Sequence, residues 1–467
     1  MDNMSILLCQ PISTEQSPQK NPPLGILFSG AAAELSGYEV HYWDERWDSE
    51  ESLLRKMEQA QIVGVSSFTG IQLKYARRIL MMAKEKGKIT LFGGIHANLT
   101  PDQSLQEPFI DYVAAGEGEI TLLSFMDFIG GKIANPIGIK GEGINYIPAG
   151  KVLTDNFISP INEKTLRYFK LANETNDIML PSSRGCPYGC GFCVNSTVKE
   201  KKYRMVDITT WTSWLDQLRS HMDIKWLQIG DDYLGSQRRI IEIGEILKAR
   251  GIKWHPSFRA DNFNQSGDFF AQKLKDLGVT DIAIGVETGS ARLMDFIDKA
   301  ETKEEIVHAA RCLSAVGIRP RYYFIIGFPT ETAEERLETY DFADCLYKIH
   351  QADCNIVFYN FTPFPGIALY ESAIKNGMEV PKSLGEWEQF TICNSGSKEL
   401  QNVYYIAGFH FHQQPGSKTD LNFPGSRRLL IRPFERICDL RWRLRYFKNF
   451  AMEKAAIEFL LRHFRKK

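Results

Sequence analysis

Short apolar runs alternate with stretches of helical periodicity over the first 130 residues of the chain. The runs that indicate buried strands are 6–8, 40–43, 62–67, 89–92 and 112–114. Helical spacing lies between them, at 24–36, 50–60, 72–86 and 118–129. The third helix is the clearest, because its apolar positions share one face: Leu73, Ala76, Ile79, Leu80 and Ala83. This alternation predicts a doubly wound, Rossmann-like parallel sheet, which binds ligands beyond the carboxyl ends of its strands.

Small and turn-forming residues stand where three of these predicted strands end. They are Ser66, Ser67, Gly93, Gly94, Gly116 and Glu117. Because glycine has no side chain, it lets a ligand approach the backbone closely. The sequence therefore predicts a cofactor-binding edge at these six positions.

The same alternation returns between residues 176 and 377, with about six strand–helix pairs. Strand candidates are 177–181, 225–229, 253–258, 281–284, 322–326 and 355–359. Helix candidates fall near 206–220, 237–250, 267–277, 290–315, 331–348 and 367–376. Six units predict an open partial barrel, a (β/α)6 arrangement, rather than a closed barrel of eight. Polar residues that follow the strands of a parallel barrel tend to be functional, and nearly every strand here ends in one.

The last 90 residues have a weaker pattern. Between 378 and 424, His410-Phe-His412 alternates as a strand would, and a lid over the open barrel is the favoured interpretation. Residues 427–467 predict a basic helix, with 13 Lys+Arg against 4 Asp+Glu among large apolar side chains. Two interpretations of this helix stay open. It lies in a membrane interface, or it packs on the protein's own core with a solvated charged face.

Length and composition limit the class of protein. A chain of 467 residues with 43% hydrophobic and 24% charged residues is typical of a globular protein of two to three domains. Neither a signal peptide nor a membrane-spanning run is evident in the sequence, so a cytoplasmic protein is expected. The predicted division is 1–135, a linker at 136–175, a barrel at 176–377 and a capping, basic helical region at 378–467.

Three cysteines carry the most specific chemical signal in the chain. Cys186, Cys190 and Cys193 are spaced C-x3-C-x2-C directly after a predicted strand. Cysteine thiolates hold iron–sulfur clusters, and three thiolates on a 4Fe–4S cube leave one iron open to a small molecule. Zinc is disfavoured, since structural zinc takes four ligands, usually as two spaced pairs. The other six cysteines are scattered singly and are expected to fill the core.

The cysteine spacing, with Phe192 before the last cysteine, resembles that of the radical S-adenosylmethionine (SAM) superfamily. The resemblance implies that SAM chelates the open iron and that an electron, from a flavodoxin- or ferredoxin-type donor, splits it into methionine and a 5′-deoxyadenosyl radical. The family's other SAM contacts then fall on residues after successive strands. These are Asp231 and Asp232 for the methionine amine, Arg259 for its carboxylate, Glu287 for the ribose or amine, and Gly327 near the adenine.

The N-terminal unit resembles the cobalamin-binding domain that precedes the radical SAM core in one large subfamily. The residues that carry this resemblance are Asn21-Pro-Pro-Leu-Gly25, Gly93-Gly-Ile-His96 and Asp111-Tyr-Val-Ala-Ala-Gly-Glu-Gly-Glu119. The D-x-H-x-x-G motif of the better-known cobalamin modules is absent, and the residues around His96 do not match it. The resemblance therefore implies cobalamin bound without a protein histidine, and a turn-stabilising or solvated role for His96.

Taken together, the resemblance implies a cobalamin-dependent radical SAM methyltransferase that acts on an unactivated carbon. Two alternatives stay open. One is an oxidative ring formation or rearrangement, as in the anaerobic magnesium-protoporphyrin ester cyclase. The other is a corrinoid or iron–sulfur sensor without turnover. The expected substrate is a small molecule, apolar or lipid-like if residues 427–467 meet a membrane, and no nucleic acid is expected as a partner. Tyr359 and Thr362, at the end of the last barrel strand, are candidates for the substrate mouth.

Overall fold

The computed structural model of the chain describes residues 4–13, 20–149, 157–176, 178–195, 202–390, 396–411 and 428–464. The N-terminal unit is a six-stranded sheet with helices on both faces. Its strands are β1 (Ser5–Gln10), β2 (Glu39–Asp44), β3 (Ile62–Ser66), β4 (Ile89–Gly93), β5 (Tyr112–Ala114) and β6 (Ile139–Gly141). Its helices are α1 (Leu24–Leu35), α2 (Glu50–Gln59), α3 (Gln72–Glu85), α4 (Ile95–Leu99), α5 (Pro101–Ser104) and α6 (Gly118–Ile129).

The order of this sheet is β2-β1-β3-β4-β5-β6, with the first five strands parallel. Side chains alternate between two cores. Ile6 and Leu8 face the layer of α1 and α6, whereas Leu7 faces the layer of α2 and α3. The predicted doubly wound sheet is therefore confirmed. β6 pairs antiparallel with β5 and lies in the segment expected to be a linker.

The second unit begins after α7 (Leu166–Glu174) with the hairpin β7 (Ser183–Arg184) and β8 (Arg204–Met205). Its other strands are β9 (Trp226–Gln228), β10 (Lys253–His255), β11 (Ser257–Phe258), β12 (Asp281–Glu287), β13 (Arg319–Ile326) and β14 (Asn355–Asn360). Its helices are α8 (Ile208–Arg219), α9 (Gln237–Ala249), α10 (Gly267–Asp276), α11 (Ala291–Phe296), α12 (Lys303–Val316), α13 (Ala333–Ile349) and α14 (Tyr370–Lys375).

Parallel pairing links these strands into the predicted open barrel. Met179 forms a bridge to Gln228 of β9, β9 pairs with β10, and Trp254 of β10 forms a bridge to Val279. The sheet then continues in the order β11-β12-β13-β14. β14 is the open edge of the sheet, and the helices cover its outer face.

Three predicted barrel elements differ from those observed. The strand expected at 253–258 is two strands, because Pro256 has no N–H to donate to a ladder. The helix expected at 290–315 is split into α11 and α12, where Asp298 and Ala300 adopt left-handed backbone angles and Thr302 starts α12 with a capping box. The strand expected at 177–181 is reduced to the bridge at Met179, and Asp177 lies outside the described residues.

The C-terminal region is helical, with α15 (Leu384–Trp387), α16 (Lys398–Phe411), α17 (Arg428–Arg443) and α18 (Ala451–Phe464). The strand predicted around His410 is wrong, since His410 belongs to α16; His412 lies outside the described residues. The helical spacing of buried Leu400, Val403, Ile406 and Ala407 outweighs the local alternation. α16 packs against β14 and α17. Among the described helices, none is long and apolar enough to cross a membrane.

Candidate functional site

The loop that carries Cys186, Cys190 and Cys193 follows β7 and is fixed by its backbone. The N–H of Cys193 donates to the carbonyl of Cys190 at 3.0 Å. The N–H of Gly191 donates to Ile297 at 2.8 Å, and the carbonyl of Gly191 accepts from Leu369 at 3.1 Å. Cys190 is buried, Cys186 and Cys193 are partly buried, and none is in a disulfide. The loop is thus held at the carboxyl ends of the barrel strands.

The three thiols are close enough to influence one another's charge. Burial raises the pKa of Cys190, the neighbouring Cys193 raises it further, and the cations Lys299 and Arg259 lower it. Burial and Cys190 likewise raise the pKa of Cys186. The two cations would favour the thiolates that an iron–sulfur cluster needs. Three soft ligands beside two cations therefore fit a 4Fe–4S cluster.

No three His, Cys, Asp or Glu side chains among the described residues converge on a single metal ion. A cluster does not need such convergence, because each thiolate binds a different iron of the cube.

Phe192 joins the cysteine loop to the loop after β13. Its ring meets that of Phe328 edge-to-face, with centroids 6.1 Å apart. Next to Phe328, Gly327 has φ of +81°, and its N–H donates to Glu331 at 2.8 Å. The structure thus places Phe192 against the residue that directly follows Gly327.

The two adjacent acids Asp231 and Asp232 have different surroundings. Asp231 accepts four hydrogen bonds of 2.6 to 3.0 Å from the backbone and hydroxyl groups of Ser182 and Ser183. Burial raises its pKa to about 6. Asp232 accepts from the N–H of Gly185 at 3.0 Å and lines a cavity. Asp231 therefore fixes the strand before the cysteines, and Asp232 is the acid of the pair that faces open space.

Arg259 is buried among partners from its own chain. Its guanidinium contacts Asp261 at 3.1 Å, donates to the carbonyl of Lys299 at 2.8 Å, and lies 3.6 Å from the centroid of the Tyr188 ring. Asp261 also accepts from the Tyr188 hydroxyl at 3.0 Å. Arg259 thus braces Tyr188, which lies between Cys186 and Cys190, against the loop between α11 and α12.

Glu287 is buried at the end of β12, where the ladder shifts register and φ is +69°. Positive φ is unusual for a residue with a side chain and indicates a constrained backbone. The carboxylate of Glu287 pairs with Lys299 at 3.3 Å, and Lys299 also pairs with Glu301 at 3.2 Å. Burial opposes the charge of Lys299, but the two acids outweigh it and raise its pKa. Lys299 was missed from the sequence, since a lone lysine after a helix carries no local signal.

A cavity of about 670 Å³ lies between the two units. From the first sheet it is lined by strand-end residues that include Ser66, Gly93, Gly94, Gly116 and Glu117. From the barrel it is lined by Met179, Pro181, Ser183, Arg184, Gly230 and Asp232. A Cβ at Gly93 would have 3.8 Å to its nearest neighbour, so this backbone borders open space. Ser67 is buried, with its hydroxyl on the carbonyl of Phe68, and does not line the cavity.

Two arginines of the barrel pair with two glutamates at the start of α6 in the first unit, beside this cavity. Arg184 pairs with Glu119, and Arg204 with Glu117. Arg184 also lies 4.6 Å from the centroid of the Phe28 ring. Because Arg184 is two residues before Cys186, these pairs connect the glycine-rich loop of the first sheet to the cysteine loop. Its position beside the cysteines is the one sequence signal for Arg184.

His96 is buried and is not solvated. Its Nδ1 lies 2.9 Å from the Thr69 hydroxyl and its Nε2 lies 3.1 Å from the Thr100 hydroxyl. Burial lowers its pKa to about 4, so the ring is neutral. With both nitrogens engaged, His96 stabilises the turn after β4 and offers no nitrogen to a metal.

Comparison with known proteins identifies two families in the chain. A model described as the radical SAM superfamily matches residues 180–343, and one described as the B12 binding domain matches residues 13–125. An uncharacterized methyltransferase of Pyrococcus horikoshii is 29% identical over 84% of this chain and 87% of its own length. The anaerobic magnesium-protoporphyrin IX monomethyl ester cyclase of Rubrivivax gelatinosus is 26% identical over 69% of this chain and 62% of its own.

Among solved structures, the cobalamin-dependent SAM radical enzyme OxsB, with aqua-cobalamin and SAM bound, is similar to this chain with a TM-score of 0.72. The match covers 99% of this chain and 75% of OxsB at 18% sequence identity. At that identity the similarity establishes the fold only. The matched fold includes both units of the present chain.

Proposed function

The chain belongs to the radical SAM superfamily and carries a B12-binding domain, and on this premise we propose that it methylates an unactivated carbon of a small molecule. The cavity between the two units carries this proposal, because the edge of the first sheet and the residues next to the cysteine loop line the same space. A methyl group and a substrate radical must meet in one water-poor chamber for such a transfer.

The cofactors are a 4Fe–4S cluster, SAM and cobalamin. Bound together, they supply reductive cleavage of SAM to a carbon radical and a transferable methyl group. In our proposal Cys186, Cys190 and Cys193 hold the cluster, and Gly93 with Gly116 give the corrinoid access to the backbone. A flavodoxin- or ferredoxin-type protein donates the electron.

For SAM we propose contacts from Asp232, the Glu287–Lys299 pair and the loop at Gly327. A buried acid–base pair complements the ammonium and carboxylate of the methionine end. Asp231 and Arg259 act indirectly in this proposal, because four hydrogen bonds hold Asp231 and Arg259 braces Tyr188.

The test uses anaerobically reconstituted enzyme with cobalamin, a strong reductant and SAM labelled as CD3. We expect 5′-deoxyadenosine and a CD3-labelled corrinoid, both measured by mass spectrometry without knowledge of the substrate. Formation of 5′-deoxyadenosine with no label on the corrinoid would favour the oxidative cyclase chemistry of the Rubrivivax relative. Absence of both products would support the sensor interpretation and overturn the proposal.

We further propose that α17 contacts an anionic membrane surface in a cytoplasmic enzyme. Ile437 and Leu440 of this helix, with Leu444 directly after its end, recur at helical spacing and are 38%, 58% and 66% exposed. Exposed Arg432 and Arg436 lie on the same helix. Each basic residue near an anionic leaflet contributes about 1 kcal/mol.

The other side of this region packs inward, which limits the basic surface. Trp442 is buried and donates to Asp344 at 2.9 Å. Arg441 pairs with Glu453, and Arg443 pairs with Asp439 at 3.0 Å. The proposed contact is therefore a narrow strip of α17 and does not include the whole basic segment.

Co-sedimentation with phosphatidylserine vesicles tests this contact. The triple change Ile437→Gln, Leu440→Gln, Leu444→Gln should abolish binding, and added salt should weaken it. The control is Phe269→Gln, which alters a 69% exposed side chain on α10. Equal binding by the triple variant and the wild type would overturn the proposal.

A further inference from the structure

We infer that the barrel lumen binds a planar ring compound with an acidic substituent, on a wall formed by Tyr323, Tyr359 and Tyr404 above Arg321. This inference rests on the proposed function, since it names the substrate class of the same site. None of these four residues belongs to the proposed set of cofactor contacts.

The alternation of burial shows which side chains face the lumen. In β13, Tyr322 and Phe324 are buried toward the outer helices, where Phe324 meets Phe342 of α13. Arg321 and Tyr323 therefore point to the opposite face, and Tyr323 is partly buried. In β14, Phe358 contacts Tyr340 of α13, so Tyr359 points into the lumen. Side chains of a parallel barrel alternate in this way between helix layer and interior.

Three tyrosine rings continue across this face with nearly parallel planes. The centroids of Tyr323 and Tyr359 are 5.8 Å apart with 19° between the planes. Those of Tyr359 and Tyr404 are 6.4 Å apart with 26° between the planes. Tyr404 comes from α16, which covers the open edge at β14. Because offset stacking is favourable at these separations, the three rings form a continuous aromatic row that a further flat ring can extend.

This surface begins next to the residues that flank the cysteine loop. Ile325 is aligned with Tyr359 in the register of β13 and β14. Ile325 packs against the hydrophobic cluster that Phe192 and Phe328 also join. On the other side of β13, Glu287 is aligned with Phe324. A ring bound beside Tyr359 of β14 would thus lie two strands away from Glu287 of β12, with β13 between them.

Arg321 adds a charge to the base of this wall. It lies two residues before Tyr323, on the same face of β13, and is exposed. It makes no ion pair within the described part of the chain, and Asp281, an acid that acts on its charge, is held by Arg319 at 2.8 Å. Although Arg321 is open to solvent on one side, the protein around it disfavours its charge; its hydrogen bond to Tyr323, with Tyr359 and Asp281, outweighs this effect and raises the pKa of Arg321. A permanent cation below an aromatic wall favours a ring that carries a carboxylate, which a guanidinium can bind through two hydrogen bonds.

Three probes separate ring recognition from charge recognition. They are 2-naphthoate, its neutral amide 2-naphthamide, and decalin-2-carboxylate, a saturated acid of similar size. Dissociation constants are measured by saturation-transfer NMR on the reconstituted holoenzyme with SAM. We expect 2-naphthoate to bind roughly three- to tenfold more tightly than decalin-2-carboxylate. We expect it to bind about tenfold more tightly than the amide.

The variants assign each preference to its residue. Tyr359→Leu should remove the preference for the aromatic acid, Tyr359→Phe should keep it, and Arg321→Gln should remove the preference for carboxylate over amide. Matched controls are Tyr446→Leu and Arg311→Gln, which alter exposed residues outside the barrel lumen. Unchanged preferences in Tyr359→Leu and Arg321→Gln, or no preference in the wild type, would overturn the inference.

Formation of 5′-deoxyadenosine in the same preparations distinguishes an error in the substrate class from an error in the proposed function. If the wild type forms it but does not discriminate among the probes, the substrate class is wrong and the proposed function stands. If it forms none, the proposed function fails independently of the probes.

Discussion

In the proposed enzyme, cluster binding depends on three side chains, the thiols of Cys186, Cys190 and Cys193. The C-x3-C-x2-C spacing predicted Cys186, Cys190 and Cys193, because cluster ligation depends on a local spacing. Four of the remaining cysteines, Cys9, Cys312, Cys354 and Cys438, are buried as expected, whereas Cys345 is exposed and Cys393 lies outside the described residues. Asp231 and Asp232 are equivalent in sequence, and their hydrogen bonds alone distinguish them.

Replacement of one cluster cysteine should abolish both cluster and SAM cleavage. Cys186→Ala, Cys190→Ala or Cys193→Ala each leaves two thiolates for a cube that needs three from the protein. Iron and sulfide analysis and mass spectrometry of 5′-deoxyadenosine measure the effect. Cys345→Ala is the matched control and should load normally. Full cluster content in a Cys190→Ala enzyme would show that these cysteines are not the ligands.

His96→Ala should leave the corrinoid spectrum unchanged but destabilise the first unit. Both ring nitrogens bond to threonine hydroxyls inside the fold, so no metal ligand is lost. The partly buried hydroxyl of Thr69 loses its ring partner, whereas that of Thr100 keeps the backbone carbonyl of residue 96 at 3.2 Å and Ser104 at 3.4 Å. The loss of the ring contacts should cost about 1–3 kcal/mol. Absorption spectroscopy and thermal unfolding check the two parts. A shift of the corrinoid bands in the variant would indicate direct ligation.

At the scale of elements, long periodic segments were predicted well and short ones were not. The buried face of α3 is the apolar face that the spacing of its residues predicts. The prediction is secure because many residues contribute to that pattern. His410 was misassigned since a three-residue alternation carries little weight against the surrounding helix. The break between α11 and α12 depends on left-handed residues at Asp298 and Ala300, which are not glycines and give no warning in the sequence.

The pair Arg184–Glu119 should be a major stabilising link between β7 and α6. The Arg184 side chain is 17% exposed and that of Glu119 is 8% exposed. Arg184→Ala leaves a buried carboxylate unpaired, and breaking a buried pair costs about 3–5 kcal/mol. Thermal unfolding of the holoenzyme measures this loss. Lys273→Ala, which removes an exposed pair with Glu245, should cost less than about 1 kcal/mol. Equal effects of the two variants would refute the link.

Replacement of side chains by alanine should affect the stability of the protein differently on the two faces of α17. Trp442 is fully buried against Tyr340 and Phe447, so Trp442→Ala should cost about 3–5 kcal/mol. Leu440→Ala alters a 58% exposed side chain and should change the unfolding temperature little. A thermal melt of each variant checks this contrast. A similar loss at both positions would mean that the exposed strip is covered in solution.

For the whole molecule, the sequence predicted two α/β units and their order but not the chamber between them. Each unit has its own internal pattern, whereas the ion pairs of Arg184 and Arg204 join residues 65 and 87 positions apart. The local periodicity of the sequence gives no information about contacts between residues so far apart. The cavity therefore appears only when the glycine edge of the first sheet meets the start of the barrel, and it is the feature on which the proposed chemistry depends.

The central claim is that this cavity brings cobalamin and the iron–sulfur cluster together. Pulsed electron paramagnetic resonance on holoenzyme that contains cob(II)alamin and the reduced cluster tests it directly. We predict magnetic coupling between the cobalt and cluster spins, lost when Cys190→Ala removes the cluster and kept in Cys345→Ala. Two uncoupled signals from fully loaded enzyme would contradict the account, because the two cofactors would then not share one chamber.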